Sequence, residues 1–188
     1  MITFREVLES DAQKILDWRT SPQVTKFLNT DVDYDLEAQR AWLTACYDEK
    51  DYYHWIIEIE GSPVGLINLA DYSEEKRKTS WGYYIGAESM QGTGAFVPPH
   101  FYNFAFGKLG VEEVVAEVFY NNMNAIGLHR LHGYRFCPSA DRVIEKNGRE
   151  ILLVAMSLHR KDWNSKRYAK CQAAFPVERW CRAPAILR

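Results

Sequence analysis

The four cysteines, at positions 46, 137, 171 and 181, never approach C-x-x-C spacing. That excludes a zinc knuckle or a dithiol redox motif, and free thiols are expected. No metal site is expected either. The opening MITFREVLES lacks the apolar core of a signal peptide, and no window approaches the roughly 20 apolar residues of a membrane span. A soluble, cytoplasmic protein without a membrane partner is the expectation. Repeats and low-complexity tracts are absent. A formal net charge of −2 provides no overall field to draw in DNA or RNA, so no nucleic-acid partner is expected.

What is present is enough for one sizeable core: 188 residues, 47% of them hydrophobic, favour a single domain with some decoration. Charge is uneven. Residues 160–188 carry eight Lys/Arg against Asp162 and Glu178, a local +6 that leaves −8 for residues 1–159. The composition shift near Trp163 suggests a domain over 1–160 and a basic C-terminal extension over 161–188. A solvated extension is the plainest reading, although Trp163, Phe175 and Trp180 suggest docking on this domain or on a partner subunit.

The chain opens on an alternating strand, Ile2–Val7, followed by a helix capped by Ser10 or Asp11 with Ile15, Leu16 and Trp18 inward. Ser21-Pro22 ends it, and a polar loop over 22–34 precedes a second helix over Asp35–Glu49. The expected inner face of that helix is Leu36, Ala38, Trp42, Leu43, Ala45 and Cys46. Three strands follow, at 54–60, 63–69 and 79–86, with Gly61-Ser62 as the first turn. A glycine loop, a helix through Gly107, a strand over 114–119 and a helix over 123–132 come next. Asn147-Gly148 then joins two strands as a hairpin. The order is that of an α+β fold on one twisted sheet.

Two motifs stand out, the second much more specific than the first, because a lone glycine loop recurs widely by chance. Gln91-Gly92-Thr93-Gly94-Ala95-Phe96 fits Q/R-x-x-G-x-G/A except at Phe96. Asn122, Ala125, Leu128, His129, Gly133 and Tyr134 fit N-x-x-A/S-x-x-L-Y/H-x-x-x-G-F/Y throughout. With TSWGYYIGAESMQGTGAF and VVAEVFYNN, they resemble the GNAT acetyltransferases over residues 1–160. The resemblance implies a mixed sheet of about seven strands and about four helices, splayed between the fourth and fifth strands. It also implies acetyl-CoA as cosubstrate and an amine as acceptor. DWRTSPQVTKFL, WGYYIG and EKNGR are most similar to the group serving pseudaminic acid biosynthesis, which implies the amino group of a UDP-linked amino sugar as acceptor. Protein N-termini or polyamines are the alternative acceptors, and a non-catalytic acyl-CoA-binding module is the alternative without turnover. A monomer or homodimer is expected.

Acetyl transfer needs a base for the amine, a polarised thioester carbonyl and a proton for the departing thiolate. Glu117 is the candidate base: a lone carboxylate on an apolar strand should hold its proton more tightly. The alternative is a solvent-facing or Arg-paired carboxylate. His129 stands where the resembling family carries a tyrosine acid, and as an imidazole it would need a raised pKa to be protonated at neutral pH. Asn122 suits a helix cap that also binds pantetheine. Around Tyr84 and Ile85 the strand backbone should pair with the pantetheine and polarise the carbonyl, with Gly82 and Gly86 admitting the close approach. For the acceptor, Trp18, Arg19, Trp81 and Tyr83 are the candidates, with 22–34 and 72–78 as the rim.

The loop poses one difficulty. In the resembling family the pyrophosphate rests on Gln91 to Phe96 and on the first turn of the following helix. Here Pro98 and Pro99 supply no N–H, and each biases its predecessor toward extended geometry. The helix should therefore open late, at Pro99, leaving the amides of Gly92 to Val97 to hold the anion. Phe96 should crowd the cofactor.

Overall fold

A computed structural model describes residues 1–49, 51–180 and 186. Among them, eight strands form one sheet in the order β1-β2-β3-β4-β5-β8-β6, with β7 also paired to β8. The strands are β1 (Ile2–Glu6), β2 (Tyr53–Ile59), β3 (Ser62–Ser73), β4 (Lys78–Ile85), β5 (Glu113–Phe119), β6 (Arg135–Phe136), β7 (Arg142–Lys146) and β8 (Arg149–His159). The strand beyond the expected seven is β6, two residues long and too short to leave a periodic signal. All pairings are antiparallel except that of β4 with β5.

The helices are α1 (Ala12–Thr20), α2 (Pro22–Thr25), α3 (Leu36–Cys46), α4 (Pro98–Gly107) and α5 (Met123–Leu131). The single turn α2 occupies the start of the expected loop, with Pro22 in its first turn. Asp35 caps α3 by accepting from the amides of Glu37 and Ala38. Its inner stripe is Gln39, Leu43 and Cys46, whereas Ala38 and Ala45 face solvent. Spacing of three and four residues decides which positions face inward, so Gln39 is buried although it is polar. Asp11 does not bond a helix amide. Its carboxylate takes the Leu8 N–H and a fork from Arg5 instead.

Two turns set the hairpins. Glu60 and Gly61 both have positive φ (53° and 78°), as do Asn147 and Gly148 (53° and 69°). Both pairs match the twist of their flanking strands, so the first turn lies one residue earlier than Gly61-Ser62. Strand β2 reads as a nearly continuous apolar run because both its faces are covered. Ile56 joins Ile15, Trp18 and Leu43 under α1 and α3, while Tyr53, Trp55 and Ile57 join the larger core under α4.

That larger core includes the C-terminal segment. Phe175 stacks on Phe4 (4.3 Å) and Phe104 (4.4 Å), and the Trp55 indole donates to the Pro176 carbonyl at 2.6 Å. Trp163 donates to Asn103, and the Arg179 amide donates to Glu6. Through Trp180, which is fully buried, the segment lies on its own domain. A solvated extension is thus corrected over that stretch: the aromatics, not the Lys/Arg count, decide its placement. Lys161, Lys166, Arg167 and Lys170 stay on its outer side; Cys181, Arg182 and Arg188 fall outside the described residues. Cys46, Cys137 and Cys171 are free thiols. Among the described residues no helix is long and apolar enough to cross a membrane.

Candidate active site

Strands β4 and β5 run side by side only where Lys78, Thr79 and Ser80 face Glu113, Val114 and Val115. Beyond that, β4 stays with β3 as far as Ile85, and β5 stays with β8 as far as Phe119. The two strands part, and a cleft of about 1280 Å³ opens between Trp81–Ile85 on one side and Ala116–Phe119 on the other. The inner edge of β4 from Trp81 onward has no β5 ladder beside it, so its amides and carbonyls can pair with an extended, amide-bearing chain.

Glu88–Phe96 closes the mouth as a 3-10 helix rather than an open loop. The Gln91 side chain donates to the Ile85 carbonyl at 2.6 Å, Thr93 to the Met90 carbonyl at 2.6 Å, and the Tyr83 hydroxyl to the Gly94 carbonyl at 3.0 Å. Gln91, Gly92, Gly94 and Ala95 line the cleft, and Thr93 and Phe96 do not. Phe96 is 65% exposed, which removes the expected crowding of a cofactor.

Helix α4 opens at Pro98, one residue before the expected start, and Val97 is αR despite preceding a proline. Val97, Pro98 and Pro99 are all buried, and that packing outweighs the pre-proline bias. The late start still has its chemical consequence. Pro98 and Pro99 carry no N–H, and those of Val97 and His100 are bonded to the Gly94 and Val97 carbonyls. No residue of α4 lines the cleft, and the Val97 amide, expected to help hold the anion, is taken by Gly94 instead.

Glu117 projects from β5 into the cleft, one-third exposed, and Arg142 grips it with both arms, Nε to Oε1 at 2.7 Å and Nη2 to Oε2 at 2.6 Å. The expectation of poorly solvated surroundings is corrected: the side chain lies on the wet side of an otherwise buried strand. Register explains the pairing. Glu117 stands opposite Ala155 and Arg142 opposite Leu153, so both rise on one sheet face and meet over the small Ala155. Arg142 went unnoticed in the sequence because 25 residues separate it from Glu117.

His129 on α5 also lines the cleft, 8% exposed, with Nδ1 3.5 Å from the Tyr102 hydroxyl and its ring beside Tyr134. Tyr134 in turn accepts from the Trp81 indole at 2.9 Å. Burial, reinforced by neighbouring His132, pulls His129 down to about 4, opposite to the direction an imidazolium acid requires. His54, between Trp42 and Trp180, is likewise pushed to about 4 by burial, as is His132. Each folded pKa lies below the unfolded value near 6.5, so the unfolded chain takes up protons first as pH falls. Stability should be fully present above about pH 6.5 and decline toward pH 4. Thermal unfolding of wild type and His54→Phe across that window should show a shallower decline in the variant; parallel curves would remove His54 from the effect.

Asn122 caps α5, accepting from the Ala125 amide at 3.2 Å, and also lines the cleft. Arg19, Phe27, Tyr52, Trp81, Tyr83 and Tyr84 also line it with Lys76 and Lys78, so segments 22–34 and 72–78 both reach it. Trp18 does not. It is core, and Gly86 is small on its account, since a Cβ there would lie 2.0 Å from the indole Cγ. A Cβ at Gly82 would lie 3.1 Å from the Asn68 amide oxygen, and Gly82 lines the cleft. A second residue the sequence did not reveal, Lys146, is buried beneath the rim. Its ammonium donates to the carbonyls of Thr25 and Leu28 and to Asp31, pinning the 25–31 loop to the β7–β8 hairpin.

Residues 2–135 match the acetyltransferase (GNAT) domain model. The chain is 21% identical over 127 residues to the acetyltransferase PseH of Campylobacter jejuni, covering 68% of this chain and 78% of that protein. Among solved structures, spermidine N-acetyltransferase from Vibrio cholerae in complex with CoA and spermine superposes with a TM-score of 0.76 at 16% identity. That match covers 86% of this chain and 96% of the other. An uncharacterized protein of Bacillus halodurans gives 0.72 at 17% identity, over 90% and 89% of the two chains. At such identities these structures share the fold.

Proposed function

The chain belongs to the GNAT acetyltransferase family and is an acetyl-transferring enzyme, and from that premise we propose that it moves the acetyl group of acetyl-CoA to the amine of a nucleotide-linked amino sugar. The observation that carries the acceptor is the charge of the cleft. Arg19, Lys76, Lys78 and Arg142 line it against Asp71 and Glu117, four basic side chains to two acidic ones. Such a wall attracts a diphosphate and repels a polycation. Phe27, Tyr52 and Tyr84 add flat apolar surface for a base. The likeness to PseH, a relative at 21% identity, points the same way.

The residues present fit acetyl-CoA. Cleft volume, the unladdered edge of β4 and the small residues Gly92, Gly94 and Ala95 accommodate an extended arm ending in a pyrophosphate. When bound, acetyl-CoA supplies the acetyl group as a thioester. Asn122 and the backbone around Tyr84 would hold the arm, and a β4 amide would polarise the carbonyl. Glu117 would accept the amine proton. His129, held neutral by burial, would have to receive a proton, such as the one leaving the amine, before it could pass one to the thiolate.

Acetyl-CoA supplied with a UDP-linked 4-amino sugar, spermidine or an N-terminal peptide would decide the acceptor. Mass analysis should find the nucleotide sugar acetylated at least about 10-fold faster than spermidine. Preference for spermidine would sink the amino-sugar reading, and CoA binding without any transfer would favour a non-catalytic module.

A further inference from the structure

The Glu117–Arg142 pair points to a function of its own. A general base needs a free oxygen within reach of the proton it takes, yet Arg142 occupies both oxygens of Glu117, at 2.7 and 2.6 Å. In this arrangement the lone pairs that face the guanidinium are taken, and only the less basic outer lone pair of each oxygen stays open. Arg142 is half exposed, begins a strand directly after the turn at Pro138–Ala140, and lines the same cleft as Glu117. A planar guanidinium fork binds phosphate oxygens by the geometry with which it binds a carboxylate. The two anions therefore compete for one cation.

The geometry points to Arg142 as a specificity-determining lock: a phosphate-bearing acceptor draws the guanidinium off Glu117 and thereby frees the base. An acceptor amine lacking an anion leaves Glu117 gripped. The site thus favours anionic acceptors twice, through attraction at the wall and through release of the carboxylate, and it disfavours polyamines twice. This inference rests on the amino-sugar reading above and adds a coupling that the reading alone does not contain.

UDP is the probe, titrated by calorimetry into the full chain saturated with CoA, for wild type, Arg142→Met and Glu117→Gln. Arg142→Met should weaken UDP binding about 10-fold or more. Glu117→Gln should tighten it about 3-fold or more, because the guanidinium no longer leaves a carboxylate to meet the phosphate. Loss of a negative charge would by itself favour UDP, so the gain must vanish when Glu117→Gln is made in the Arg142→Met background; a gain that persists there overturns the lock. Unchanged or weaker UDP binding by Glu117→Gln overturns the lock, whatever Arg142→Met does. If wild type acetylates the UDP-linked amino sugar while all three proteins bind UDP alike, the lock alone fails. If wild type neither binds UDP nor acetylates that sugar, the acceptor reading fails and the lock falls with it.

Discussion

Replacing Glu117 by glutamine should lower turnover at neutral pH by about 10²-fold or more while leaving CoA affinity within a few-fold of wild type. An amine attacks only when neutral, and glutamine cannot take up its proton. CoA binding is spared because the substitution keeps the shape of a side chain on β5, across the cleft from the backbone edge expected to hold the arm. Raising the pH deprotonates the amine without help, so the variant should recover part of its rate in alkaline buffer. Steady-state rates across pH, beside calorimetry with CoA, separate the cases. Normal turnover at neutral pH would remove Glu117 from the reaction; equal losses in rate and CoA affinity would make its role architectural.

Truncating Phe175 to alanine should cost about 3–5 kcal/mol of stability. For a chain of this size that lowers the Tm by roughly 6–20 °C. The ring is 2% exposed, stacks on Phe4 and Phe104, and meets Trp55 edge-on at 5.1 Å. Removing it leaves a cavity among aromatic rings from β1, β2 and α4, which are too rigid to collapse into the space. Denaturant unfolding would measure the loss. A change below about 1 kcal/mol would mean that the segment is a loose cover and that the 1–160 boundary marks a self-sufficient unit.

What the sequence revealed follows the range of the forces involved. Asn147-Gly148 and Asn122 are local: a two-residue turn and a cap each fix the backbone of their neighbours, and both stand where the sequence puts them. The motif Asn122 to Tyr134 places its helix and brings His129 to the cleft for the same reason. Composition does not set helical phase, so Ala38 and Ala45, apolar but off the stripe, face solvent on α3. Trp18 and Gly86, 68 positions apart by number, are one packing event, and neither residue alone announces the other. Arg142 on Glu117 and Lys146 under the 25–31 loop are also long-range. Their partners are chosen by strand register across the sheet, which no local pattern specifies.

The closure of Phe175 and Arg179 over the first strand also bears on how the chain reaches its fold. The Arg179 amide meets Glu6 across 173 positions, and a chain made from its N-terminus presents Phe4 and Trp55 long before their cover exists. During synthesis that aromatic face stays open to water, to other nascent chains and to holding chaperones until residue 180 has cleared the ribosome. Slow translation should therefore raise the demand for such protection in proportion to the delay before the cover arrives.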